Sequence, residues 1–180
     1  MEVDVLYRVP KDLCWQYINR VVRPAAANVI FYRSCIDPYI SKKTIWNAVS
    51  RIAPGGIFCI VCFPENISDI IRWIGDTDHT HMIVYLIDDM QQVWPVVVVY
   101  RSEIVRPSCG QVKHIRSLDE GIQYLLQRGN FGDTVVLIGD AMLPYIPLVK
   151  QLGREVIALG DDELFAMQAS DHGVREKRYE

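Results

Sequence analysis

The sequence predicts an α/β domain: a mostly parallel sheet with an antiparallel hairpin at one edge and helices on both faces. Three observations predict it. Strand-length apolar runs alternate along the chain with segments of helical spacing, the pattern of strand–helix–strand units. The run GIFCIVCF (56–63) is apolar at almost every position, as expected of a strand covered on both faces. HMIVYLID (81–88) and VWPVVVVYRS (93–102), joined by a short polar link, read as two strands of a hairpin.

Each element has its own signal. VDVLYRV (3–9) alternates and is rich in strand formers, and Pro10 ends it. KDLCWQYINRVV (11–22) places Leu13, Tyr17, Ile18 and Val21 at helical spacing before Arg23-Pro24 stops it. NVIFYRS (28–34) is the second strand and CIDPYI (35–40) a loop. SKKTIWNAVSRI (41–52) is an amphipathic helix through Ile45, Trp46, Val49 and Ile52, with Ser41 as its N-cap, and Ala-Pro-Gly-Gly (53–56) is a turn. ENISDIIRWIGD (65–76) is a helix ending near Gly75. Pro95 inside the second hairpin strand argues for an edge position or a bulge. SLDEGIQYLLQRG (117–129) is a helix with a Ser117/Glu120 capping box and Gly129 as its stop. TVVLIG (134–139), PYIPLVKQLG (144–153) and EVIALG (155–160) read as strand, helix, strand, and DDELFAMQA (161–169) as helical. One domain therefore spans 1–170, followed by a charged tail over 171–180 that is expected to fray.

Composition narrows the function classes. The 180 residues are 50% hydrophobic and 23% charged, as in globular domains. A net charge of −3 gives no general attraction to nucleic acid. No apolar run reaches the roughly 20 residues that span a bilayer, and the N-terminus has no signal-peptide pattern. The five scattered cysteines fit reduced core thiols of an intracellular, cytoplasmic protein. Cys59 and Cys62 fall in a strand, where positions three apart face opposite ways, so they do not grip one metal.

Open α/β sheets bind ligands beyond the carboxyl ends of their strands, where strand order reverses. Acidic residues recur there: Asp37 after the second strand, Asp140 after TVVLIG, Asp161 and Asp162 after EVIALG. Each taken alone reads rather as an ordinary turn former or helix cap. Together they also fit a carboxylate cluster for a divalent ion, though nothing but position supports that.

Longer motifs go further. Gly132-Asp133, Val136-Leu137, Leu152-Gly153-Arg154 and EVIALG follow one another behind the helix SLDEGIQYLLQR. The N-terminal half reads strand, helix, strand, a Pro38-Tyr39 loop, helix, Ala-Pro-Gly-Gly, strand. Over nearly its whole length the chain resembles the amino-type DNA methyltransferases, which methylate the exocyclic amine of adenine or cytosine. The likeness is to their permuted arrangement, with the catalytic half first. The resemblance implies a Rossmann-like methyltransferase fold with a seven-stranded sheet, whose strands in chain order are the family's third to seventh, then first and second. It implies S-adenosylmethionine as cofactor and DNA as partner. It assigns Asp37, Pro38 and Tyr39 to the catalytic loop, and Gly139, Asp140, Asp161 and Asp162 to the cofactor.

Both signature loops depart from the family pattern. The catalytic loop should open on a polar residue that holds the target amine, ahead of two prolines and an aromatic that stacks on the base. Ile36 stands in the polar position and Asp37 replaces the first proline. The cofactor turn should be glycine-rich, so that backbone can approach the ligand. Here it reads Ile138-Gly139-Asp140-Ala141-Met142-Leu143-Pro144-Tyr145, and Met142 and Leu143 are expected to fill the cofactor's space. The family's ribose-binding acid falls on Gly160, beside Asp161. There is no target-recognition insert. The nearest substitute is the basic cluster Arg106, Lys113 and Arg116 in EIVRPSCGQVKHIR (103–116), which reads equally as a solvated loop.

Two functions follow. One is a non-catalytic descendant of the fold, a pseudoenzyme serving as a binding or interaction module, for instance a viral or accessory protein. The other is an S-adenosylmethionine-dependent DNA amino-methyltransferase with divergent motifs. In either case the hairpin 81–102 offers an edge through which a homodimer is expected.

Overall fold

The structure is a computed structural model and describes residues 3–7, 18, 20, 22–33, 41–100, 116–127, 134–152, 155–159 and 175–178. The described elements are β1 (Val3–Tyr7), β2 (Ala27–Tyr32), α1 (Lys42–Arg51), β3 (Ile52–Val61), α2 (Ile67–Gly75), β4 (Thr80–Ile87), β5 (Val93–Tyr100), β6 (Arg116–Ser117), α3 (Leu118–Leu126), β7 (Thr134–Ile138), α4 (Ile146–Gln151), β8 (Glu155–Leu159) and β9 (Arg175–Arg178). They build one mixed sheet in the order β6-β4-β5-β3-β2-β7-β8-β1-β9. Every pairing is parallel except those that β5 makes with β3 and β4.

The seven expected strands are all present, in a mostly parallel α/β sheet. Short strands extend it at both edges. Among the described residues β6 pairs only with Leu86 and Ile87. β9 lies alongside β1, so Arg175–Arg178 do not fray as expected. Residues 161–169, expected to be helical, lie outside the described residues. So does most of the segment 11–22, within which Ile18 and Arg20 are helical.

Continuous apolar runs make a two-faced sheet, because successive side chains point to opposite sides. Val29, Phe31, Ile57, Cys59, Val96, Val98, Val135 and Leu137 join one core, covered by α3 through Ile122 and Leu125 and by α4 through Ile146 and Val149. Ile30, Tyr32, Phe58, Ile60, Val97, Val99, Val136 and Ile138 join the other, covered by α1 through Ile45 and Val49 and by α2 through Ile70 and Ile74. Cys59 and Cys62 accordingly lie in different cores. Burial pushes the Cys62 thiol up to about 11, which leaves it protonated and unreactive.

Three local expectations need correction. Trp46 does not join the apolar stripe of α1: it is 47% exposed. Lys42 Nζ lies 4.9 Å from its ring centroid and also pairs with Asp76 at 2.8 Å, so cation–π attraction rather than burial holds the indole. Ala53-Pro54-Gly55-Gly56 is not a turn ahead of the strand. It bulges within β3, where the register with β2 jumps from Ala27↔Ile52 to Val29↔Ile57. Pro95 lies neither at an edge nor in a bulge. Its strand β5 is interior and keeps unbroken register with β4. The proline is tolerated because it lies beyond the last β3–β5 rung, Val61↔Val96, where its carbonyl accepts from Cys62 N at 3.1 Å. The missing N–H points the same way, so only one terminal bond is lost.

Candidate functional site

Strand order reverses between β2 and β7. The chain leaves β2 through α1 toward β3, and leaves β7 through α4 toward β8, on opposite faces of the sheet. Their carboxyl ends thus flank the crevice where ligands of open α/β sheets bind. Backbone bonds stitch the ends together: Arg33 N donates to Ile138 O and Gly139 N to Leu159 O, both at 2.9 Å.

The turn after β7 has a backbone reason for its glycine. Gly139 adopts φ 114°, ψ 146°, a region closed to residues with a Cβ. Asp140–Tyr145 then wind as a 3-10 helix, opened by Met142 N donating to Gly139 O at 3.0 Å. Pro144 sits in this tight turn, and Pro147 in the first turn of α4, where its missing N–H is an orphan anyway. Met142 (0% exposed), Leu143 (3%) and Tyr145 (7%) turn inward and join the core of α3, α4, β7 and β8.

One polar link crosses this apolar packing. Tyr145 Oη donates to Asp119 Oδ1 at 2.9 Å, and Asp119 Oδ2 accepts from Gln123 Nε2 at 2.8 Å. Burial, then the Asp119 carboxylate, hold the phenol well above its ordinary range, against a smaller opposing pull from Arg33. Tyr145 is therefore a neutral donor near neutral pH. Arg33, the first residue after β2, places its positive charge near the Tyr145 phenol.

A second cluster sits at the same end of the sheet. Asp88 Oδ1 accepts from Met90 N and Gln92 N, and Oδ2 from Trp94 Nε1, all at 2.9 Å. The Trp94 bond, joined by the Gln92 and Met90 amides and the Arg33 charge, lowers the carboxyl below its ordinary value. The Trp94 ring packs against Phe63 at 5.6 Å and 51°.

Of the residues the sequence singled out, Gly139 lies at the crevice with a role set by its backbone. The Asp140 backbone opens the 3-10 turn; its side chain lies outside the described residues. Arg116 forms half of β6, beside Leu86, three residues before Asp119. Asp37, Pro38, Tyr39, Asp161, Asp162, Arg106 and Lys113 lie outside the described residues. Arg33, Asp119 and Asp88 escaped the sequence reading, as did the polar link that Tyr145 makes. Tyr145 and Asp119 stand 26 residues apart and fit no spacing rule. The one available signal was Arg33, a charge ending the apolar strand ANVIFY.

No family model matches the sequence, and no curated protein does. Solved structures do match in fold. The crystal structure of M1.HpyAVI superposes with a TM-score of 0.68 at 13% identity, covering 96% of this chain and 100% of that one. TTHA0409, a putative DNA modification methylase from Thermus thermophilus complexed with S-adenosyl-L-methionine, gives 0.66 at 11% identity over 100% of this chain and 98% of that one. The cytosine-N4-specific PvuII DNA methyltransferase gives 0.62 at 10% identity over 97% and 88%. The chain therefore has the methyltransferase-like α/β fold.

Proposed function

We propose that this protein is a non-catalytic member of the methyltransferase-like fold, acting as a binding or interaction module. The observation that carries this reading is the turn after β7, where Met142, Leu143 and Tyr145 are core side chains, 0, 3 and 7% exposed. A cofactor turn keeps that approach open for backbone to meet ligand. A turn packed with side chains keeps the strand–helix joint but gives up the glycine cradle, which supports a non-catalytic reading. Function resides in sites rather than folds, so the fold likeness alone carries no activity.

DNA is the partner class that the fold likeness favours, through phosphate contacts from Arg106, Lys113 and Arg116. A homodimer through the hairpin 81–102 belongs to the same proposal; among the described residues β6 pairs with only Leu86 and Ile87 of β4.

The alternative is a divergent S-adenosylmethionine-dependent amino-methyltransferase, with Asp37, Pro38 and Tyr39 at the target base and Gly139, Asp140, Asp161 and Asp162 at the cofactor. Fold matches that include a complex with S-adenosyl-L-methionine favour it. A transfer assay separates the two: duplex DNA, labelled-methyl S-adenosylmethionine and purified protein. The proposal expects no label in DNA above a protein-free control. Incorporation that disappears in Asp37→Ala establishes the enzyme instead.

A further inference from the structure

Side chains from three separate elements come together beside the carboxyl ends of β2 and β7. Tyr145 comes from the turn after β7, Asp119 from the first turn of α3, and Arg33 from the end of β2. We infer that Tyr145 and Asp119 form a latch that clamps α3 over the turn after β7 and so fixes one wall of the crevice at the switch point.

Three observations carry the inference. The Tyr145 ring is buried, yet its hydroxyl meets a carboxylate on an exposed part of α3, so the phenol spans from the core to the rim. The same Asp119 is fixed from its other oxygen by Gln123, one helical turn on, so it is held ready to accept. Arg33, anchored by its own backbone to Ile138 at the end of the sheet, sets its positive charge near the same phenol. Hydrophobic packing alone does not require a tyrosine there, because phenylalanine fills the same space. The hydroxyl adds a directional link between two elements that chain connectivity leaves 26 residues apart. The latch rests on the proposed function and deepens it, in that it fixes in place the packed turn on which that reading depends.

Native-state hydrogen exchange of the ligand-free protein tests it, with Tyr145→Phe, Asp119→Ala and the double variant. The α3 amides should exchange about fivefold faster in Tyr145→Phe, as expected for one lost hydrogen bond. The slowest amides of β2, β3 and β5 should change by less. In the Asp119→Ala background, Tyr145→Phe should add almost nothing. The latch is overturned if Tyr145→Phe has the same effect in both backgrounds, or if α3 and the central strands speed up by one common factor. Exchange is read without cofactor, whereas transfer activity is read on wild type, so either inference can fail alone.

Discussion

Two chain reversals at the same end of the sheet are built on opposite principles. The turn after β7 is closed by burial: Met142, Leu143 and Tyr145 pack into the core, and one hydroxyl reaches out to Asp119. The link between β4 and β5 is closed by a charge: Asp88 collects two backbone amides and the Trp94 indole, while Met90 beside it is 88% exposed. A binding crevice, though mostly apolar, keeps open space and a few placed polar groups facing it, as the second kind does. Here the apolar kind occupies the switch point. The strand–helix joint after β7 is thus built for cohesion.

The contrast predicts graded responses. The largest belongs to Met142→Ala. Truncating a fully buried side chain should cost about 2–5 kcal/mol in urea unfolding. A loss under about 0.5 kcal/mol would show that the turn is not packed. Next is Gly139→Ala, which forces a Cβ onto φ 114° and should cost about 1–3 kcal/mol. Gly121→Ala should follow. A Cβ there meets the Leu86 side chain, itself fully buried, where α3 crosses β4, and overpacking of this kind costs about 1–3 kcal/mol. If alanine is neutral at 121, α3 is free to lift from β4 and the crevice has a mobile wall.

The smallest response separates the two reversals by pH. The folded Asp88 carboxyl lies below its ordinary value of 3.8. A depressed acid contributes stability above its unfolded pKa and loses it as pH falls through the folded value. Asp88→Asn should therefore be less stable than wild type at pH 7, and the gap should narrow as the pH falls below 3.8. Tyr145→Phe should cost the same at pH 7 and at about pH 9, because its phenol stays neutral there. A gap at Asp88 that does not change with pH would remove the charge from the account of the hairpin.

The sheet was legible because both its faces are covered. Runs such as VWPVVVVY and GIFCIVCF have no other stable home in a globular domain. What escaped depends on partners far away in sequence. Pro95 read as an edge residue because the terminal rung with Cys62, 33 positions earlier, is invisible in the local pattern. Trp46 read as core because helical spacing cannot distinguish a buried indole from one covered by Lys42. At the site, sequence expected bulk from Met142 and Leu143 where glycine is needed, a local fact, and the structure buries both side chains. It did not find the Tyr145–Asp119 bond, which only the path of α3 across the sheet brings together.

Calorimetric titration of S-adenosylmethionine into wild-type protein tests the central claim most directly. The packed turn predicts no saturable heat even at high ligand concentration. Binding near micromolar affinity, abolished in Asp161→Ala, would contradict it.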